Sequence, residues 1–486
     1  MICTHLALRR RRESPERGKT LKSKYDNFLA LNLEIYMTLH IDDPLGLNPV
    51  TLASIPIAHS PATAESLVKS CQTPISLTGS RHSQGGHTVF PKGTSILTEP
   101  MNRVTFNYQN NTVTVEAGAT WNVLHAYLAP LGLAPLVQQS SPHFTIGGSI
   151  SVNCHGRDPS QGPLANCIVS MEVLDPSSAL PQPETVVPED DLFKAIVGGY
   201  GSAAVILTVT LKVTENHMLT QQATELSLTD YANKIKQHQS TELWPELHYG
   251  WLNFSGTNLF KTVLAVDCIR PSKSSVVHEN KLNEDGWPEI ELMRWLWEQH
   301  GQSSKQTRDR TWKAVVAFFL SQNLENNNHG KQLSRIHWLR QSIAFTAHRS
   351  ETHVDLLQEY FVPIDKFEAF VQELGQLLVN HKVNLLSSTV RVVQQETNST
   401  HLSYAPDHAM ACIALDFETP LDSSPSQKNK IPSKSTFAWV HEAIELALQH
   451  QGSYYLPYYG FATLDQFKRA YKNWLAQKNA KDPALN

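Results

Sequence analysis

From Leu45 onward, apolar runs alternate with short polar interruptions, and the repeat changes between about two residues and about 3.6, which separates strands from helices. Ser54–Ala58 reads as a short strand. Ser60-Pro61 opens a helix over Ala62–Ser70, with proline in the first turn, where no donor is lost. Pro74–Thr78 is a second strand, so the opening is a βαβ-like unit. Arg103–Tyr108 and Thr112–Glu116 flank Gln109-Asn110-Asn111, a hairpin signal. Thr120 caps a helix over Trp121–Leu131 that Gly132 ends. Cys167–Leu174 is strand-like and Asp190–Val197 helical. Ala203–Val213, apolar and β-branched, is a long strand with buried neighbours.

Further on, Tyr360-Phe361-Val362-Pro363 ends a strand and leads into a helix over Asp365–Leu378, with Phe367, Val371, Leu374 and Leu378 on one face. Leu385–Val393 and Met410–Phe417 are apolar strands, and Thr419–Ser435 is a polar surface loop. Phe437–Gln449 is a last helix, its face set by Phe437, Val440, Ile444 and Leu448.

Composition narrows the function. A length of 486 residues allows two or three domains, and 41% apolar with 18% charged residues describes a soluble globular protein. A net charge of −4 carries no basic footprint, so no nucleic-acid partner is expected. The six cysteines are scattered without a C-x-x-C pair, which predicts reduced thiols and a cytoplasmic location. No apolar run reaches the roughly 18–20 residues of a membrane span. The 22 histidines show no ligand spacing of the H-E-x-x-H kind, so no metal is expected.

Two stretches stand apart. Residues 1–44 are a basic extension (Arg9-Arg10-Arg11-Arg12, Arg17, Lys19, Lys22, Lys24) without an apolar run behind it, expected to be disordered, with Met37 an alternative first residue. Gly286–Ile343 holds Trp287, Trp295, Trp297, Trp312 and Trp338 among Arg294, Lys313, Arg335 and Arg340. It is read as aromatic core packing of a helical subdomain in preference to a surface in peripheral contact with a membrane.

The chemistry concentrates in three glycine-rich turns. Leu77-Thr78-Gly79-Ser80-Arg81-His82-Ser83-Gln84-Gly85-Gly86-His87 follows a strand, and Thr145-Ile146-Gly147-Gly148-Ser149-Ile150-Ser151-Val152-Asn153-Cys154-His155-Gly156-Arg157-Asp158 runs into a helix start. Gly198-Gly199-Tyr200-Gly201 precedes the long strand. Glycine lets backbone amides converge on an anion such as a pyrophosphate; ordinary tight turns are the alternative.

On these residues the chain resembles the FAD-binding domain of the vanillyl-alcohol-oxidase (PCMH-type) superfamily, and within it alditol and aldonolactone oxidases and decaprenylphosphoryl-ribose oxidase. Gly79-Ser80-Arg81-His82-Ser83 is similar to the G-x-G-H-S turn, with Arg81 where the second glycine stands. Thr145–Asp158 is similar to the T-V-G-G…H-G stretch along the flavin pyrophosphate, and Gly198–Ile206 to G-G-x-G-x-x-G-I-I. Lys481-Asp482-Pro483 resembles a closing K-x-D-P.

The resemblance implies a PCMH-type domain of two small α/β subdomains over residues 45–215. It implies an α+β substrate or cap domain with an antiparallel sheet over 216–452, and a segment 453–486 returning to the FAD domain. FAD would lie against Gly79, Ser80, Arg81, His82, Ser83 and Gly86; against Thr145, Gly147, Gly148, Ser151 and Gly156; and against Gly199, Gly201 and Ile206. His82 stands where such proteins attach the flavin covalently. His155 would lie beneath the ring as a base for a substrate hydroxyl.

Glu359 and Arg391 complete the implied catalytic set. Arg391 falls on the arginine of the E-I-R-T-V strand of alditol oxidases, with Thr389 in place of the glutamate. Each is a charge in a strand-like apolar setting, which predicts that they pair across neighbouring strands. The lysine of the relatives is missing; Tyr454, Tyr455, Tyr458 and Tyr459 occupy that region. The function implied is FAD-dependent oxidation of a CH–OH group in a polyol, sugar or sugar derivative, with oxygen or another molecule reoxidising the flavin. The alternatives are noncovalent oxidation of a lipid-linked pentose, or a degenerate flavin fold without turnover.

Overall fold

The computed structural model describes residues 39–86, 88–178, 181–282, 305–324, 330–340, 350, 352–422 and 431–481. The basic extension up to residue 38, Trp287, Trp295, Trp297 and the closing Asp482-Pro483 fall outside them. Among the described residues no helix is long and apolar enough to cross a membrane.

The βαβ-like opening forms with one change. Helix Pro61–Ser70 starts where Ser60 accepts the amide of Thr63, and Ile75–Thr78 pairs in parallel with Thr94–Leu97. The stretch read as strand Ser54–Ala58 makes only isolated parallel bridges, from Ser54 to Thr94 and from Ile57 to Leu97. Pro56 between them has no amide to extend the ladder.

An antiparallel sheet follows, in the order Val104–Asn107, Thr112–Glu116, Val205–Glu215, Ile168–Leu174, Pro183–Val186. Its centre is the long β-branched strand, whose Val209 and Leu207 are fully buried. Trp121, Leu124 and Leu128 of helix Trp121–Leu128 pack with Val113, Val115 and Ile146. This brings the second glycine turn against the sheet.

The larger antiparallel sheet runs Gln332–Ser334, Met218–Ser227, Thr262–Ile269, Leu247–Leu252, Asn384–Val393, Met410–Asp422, His353–Pro363, Ser453–Tyr454. Its two halves wind alike: strand, helix (Leu228–Thr241 or Phe367–Asn380), then two strands, the last inserted between the first and second. Their strands pair at Gly250↔Val390 and Trp251↔Thr389, and their helices meet where Tyr231 packs on Phe367. Helix Phe367–Asn380 buries Phe367, Phe370, Val371, Leu374 and Leu378, the spacing of one face. Helix Lys434–Gln449, capped by Ser433, buries Val440, Ala443, Ile444 and Ala447 beside it. Trp312 and Trp338 are both buried, as core packing requires.

Thr419–Asp422, read as the start of a loop, continues the strand Met410–Asp422 and pairs with His353 and Val354. Residues 423–430 of that predicted loop lie outside the described ones.

Candidate functional site

A cavity of about 670 Å³ lies between the glycine turns and one face of the larger sheet. Strand Ile75–Thr78 delivers Gly79 to its edge. A Cβ at Gly79 would stand 2.4 Å from Thr145 Oγ1, so the first two turns touch where glycine leaves room. Arg81 takes φ 59°, the left-handed conformation that the resembled turn assigns to glycine. Among the described residues the amides of Ser80, Arg81, His82 and Ser83 donate to no protein acceptor. His82 lines the cavity with Nδ1 3.2 Å from Ser80 Oγ and its ring edge-on to Phe144. Burial, then the nearby His143, lowers its pKa and favours the neutral imidazole.

The second turn works differently from the expected amide cradle. Thr145 caps helix Ile146–Ser151 by accepting the Gly148 amide, while Ile146 N donates to Ala119 O at 2.8 Å and Gly147 N to Ala117 O at 2.7 Å. Those donors are spent inside the protein. Thr145, Gly147, Gly148 and Ser151 line the cavity, so the turn contributes shape. From the third turn Gly201, at φ 68°, and Ile206 reach the cavity.

Three expected contacts are absent from its lining. Gly86 sits against Asn48, where a Cβ would come within 3.0 Å. Gly156 packs on the backbone of Gln138, and Gly199 on that of Ala195. These glycines serve chain-to-chain packing.

The opposite wall is the larger sheet. Because side chains alternate along a strand, Leu357 and Glu359, Ser387, Thr389 and Arg391, and Ala414 and Asp416 all face the cavity. Glu359 and Arg391 are not on neighbouring strands: Met410–Asp422 runs between them, with Ala414 opposite Glu359 and Cys412 opposite Arg391. No ion pair joins the two among the described residues. Glu359 is bonded instead to His155, whose Nε2 lies 2.9 Å from Oε2, to the Tyr458 hydroxyl through Oε1, and to the Cys412 thiol at 3.2 Å.

Burial would raise Glu359, but the charge and hydrogen bond of His155, then Arg391 and the Tyr458 hydroxyl, hold it down to about 2. It is therefore a carboxylate, and His155 Nε2 carries the proton it accepts. His155 Nδ1 and Arg391 Nε have no protein partner. Burial, then Glu359, pushes Cys412 up, so it is a thiol. His155, Glu359 and Cys412 offer ligand atoms within 4.8 Å of one another, a set that could hold a metal ion and that no spacing in the sequence announced. Tyr458, Cys412, Trp251 and Asp416 were missed. Asp416 carried the same signal as Arg391, a charge inside an apolar strand; Tyr458 carried none.

The donor set fits FAD. Free amides at Ser80–Ser83 and the unpartnered Gln139 Oε1 and Ser140 Oγ supply polar contacts at the turn end, and the volume is that of a cofactor site. Residues 54–180 match the family model of the FAD binding domain, so the chain carries a domain of that class and FAD is its cofactor.

The relatives give this class more detail. Over 103 residues the chain is 34% identical to decaprenylphosphoryl-beta-D-ribose oxidase of Mycolicibacterium smegmatis, covering 21% of this chain and 22% of that one. It is 27% identical over 167 residues to the mitochondrial L-galactono-1,4-lactone dehydrogenase 2 of Oryza sativa subsp. japonica, covering 34% and 27%. These matches span about a quarter of each relative's length. Cholesterol oxidase from Brevibacterium sterolicum, in a histidine-to-alanine mutant, shares the fold with a TM-score of 0.61 at 12% identity, covering 85% and 83% of the two chains.

Proposed function

We propose that the protein is an FAD-dependent oxidoreductase that oxidises a CH–OH group of a polyol, sugar or sugar derivative, with His155 as the base. The observation that carries this reading is the His155–Glu359 pair in the wall of the cavity. Glu359 is too acidic, and too fully hydrogen-bonded, to take a proton itself. It fixes the His155 ring through Nε2; the neutral form of the ring offers Nδ1 to the substrate's hydroxyl proton, and the carboxylate stabilises the imidazolium that results. Arg391 presents a guanidinium to the oxygen as negative charge develops on it. FAD, when bound, supplies the acceptor for the hydride that leaves the same carbon.

The test is anaerobic bleaching of the flavin by a panel of polyols, aldoses and aldonolactones. His155→Gln is expected to slow bleaching by about 10²–10⁴-fold with flavin retained. Glu359→Gln, which removes the charge that orients and stabilises His155, is expected to cost less than His155→Gln. Should no hydroxylated compound bleach the wild-type flavin, the protein binds flavin without this turnover.

His82 is the residue proposed to carry the flavin covalently. Its neutral ring, held by Ser80 through Nδ1, leaves Nε2 as the nucleophile; the attachment would break a C–H bond of a flavin methyl group and leave two electrons on the ring for oxygen to remove. Yellow colour should remain with acid-precipitated wild type and pass to the supernatant in His82→Ala. A colourless wild-type pellet would show noncovalent binding.

A second reading, a lipid-linked pentose as substrate, is favoured by the identity with decaprenylphosphoryl-beta-D-ribose oxidase. Sedimentation of the protein with phospholipid vesicles would support it; a protein that stays in solution supports the soluble substrate.

A further inference from the structure

We propose that Asp416, together with Trp251 and Ser387, forms a second subsite that binds another hydroxyl of the same substrate, so that the cavity reads a polyol chain at two points. The inference rests on the reading above, in which one hydroxyl reacts at the His155–Glu359 pair.

Strand register places the groups. One row across the sheet is Leu357, Asp416 and Ser387; the next is Glu359, Ala414, Thr389 and Trp251. The rows are two residues apart along each strand, roughly 7 Å. That span separates the reacting hydroxyl from a second one several carbons along an extended chain. Ala414, small and apolar, leaves the space between them open to the carbon chain.

Two polar groups away from Glu359, Asp416 in the first row and Trp251 at the far edge of the second, have no hydrogen-bond partner among the described residues. Asp416 is 5% exposed and lines the cavity, yet its Oδ1 has no partner. Trp251, also in the lining, has an unpartnered Nε1. Buried groups left in this state are rare and costly unless a ligand completes them. Burial, and the neighbouring Asp355, raise Asp416 well above the usual carboxylate range. A protonated carboxyl both donates and accepts, as a hydroxyl does, while Trp251 can only donate. Hydroxyls along a polyol chain can satisfy each of them, whereas a carboxylate or phosphate ligand would meet Asp416 as a repelling group once it ionised.

The test is calorimetric titration of the flavin-loaded protein with sorbitol and with 1-hexanol. Wild type should bind sorbitol more tightly. Asp416→Leu should weaken sorbitol by roughly tenfold or more and spare 1-hexanol. Asp416→Asn, which keeps one donor and one acceptor, should restore most of the sorbitol affinity. Trp251→Phe, which deletes the N–H and keeps a ring, should also weaken sorbitol selectively, and serves if Asp416→Leu does not fold. Equal losses for both ligands, no loss in any variant, or wild type with no preference for sorbitol would overturn the subsite. Flavin colour separates the two claims. Asp416-dependent sorbitol binding without bleaching keeps the subsite and sinks the oxidation; bleaching by sorbitol that is indifferent to Asp416 does the reverse.

Discussion

Arg81 shows how a residue can depart from a motif while its backbone does not. A side chain at φ 59° costs on the order of 1 kcal/mol relative to glycine. The guanidinium stands at the rim of a cavity built for a diphosphate-bearing cofactor, where a cation offsets that strain. Arg81→Gly is therefore expected to raise the melting temperature of the flavin-free protein while weakening its affinity for FAD. Unchanged affinity would show that Arg81 makes no contact with the phosphates. The same scale explains the error over Glu359. Two buried charges in apolar strands do require partners, but nothing in the residues themselves says that a histidine two hundred positions away, and not the other charge, is the partner.

Among the elements, legibility followed periodicity. Phe367–Asn380 and the body of Lys434–Gln449 were readable because their apolar residues recur at helical spacing, whereas the start of the second, capped by Ser433, was read as loop. The strands were readable one by one, as at Ile75–Thr78, whereas their order was not. Insertion of Met410–Asp422 between the strands of Glu359 and Arg391 is a long-range choice that leaves no local trace. Thr419–Asp422 was misread because polar residues and Pro420 resemble a loop, although their pairing with His353 and Val354 keeps them extended. The glycine turns were recognisable, but which of their amides remain free depends on Ala117 and Ala119, which approach only in the folded chain. Contact between the first two turns can be tested directly. A methyl at Gly79 would force Thr145 Oγ1 away and strip the Gly148 amide of its cap, so Gly79→Ala should lose flavin and about 1 kcal/mol of stability. Full flavin retention would show that the turns can part freely.

At the scale of the whole molecule, one buried arginine links regions far apart in sequence. Arg335, 1% exposed, donates to Asp158 Oδ2 and to the Leu136 carbonyl, both at 2.8 Å. Asp158 ends the second glycine stretch, so Arg335 steadies the loop that carries His155. Arg335→Met leaves Asp158 buried without its cation and should cost about 3–5 kcal/mol by chemical denaturation. Adding Asp158→Asn should recover part of that loss; no recovery would place the cost in the carbonyl contacts.

The like winding of the two sheet halves, whose strands meet in only two residue pairs at their junction, describes a pseudo-twofold axis through a duplicated unit. The helices of the two copies meet across the axis, Tyr231 against Phe367, and share one hydrophobic core, so only the strand pairing is thin there. The polar groups facing the cavity break that symmetry: among the described residues the second copy supplies Glu359, Arg391 and Asp416, and the first supplies only Trp251. A fold built from two equivalent pieces thus has one piece free to retain structure while the other acquires chemistry. Hydrogen exchange should find Gly250 and Trp251 opening ahead of the strands on either side of them.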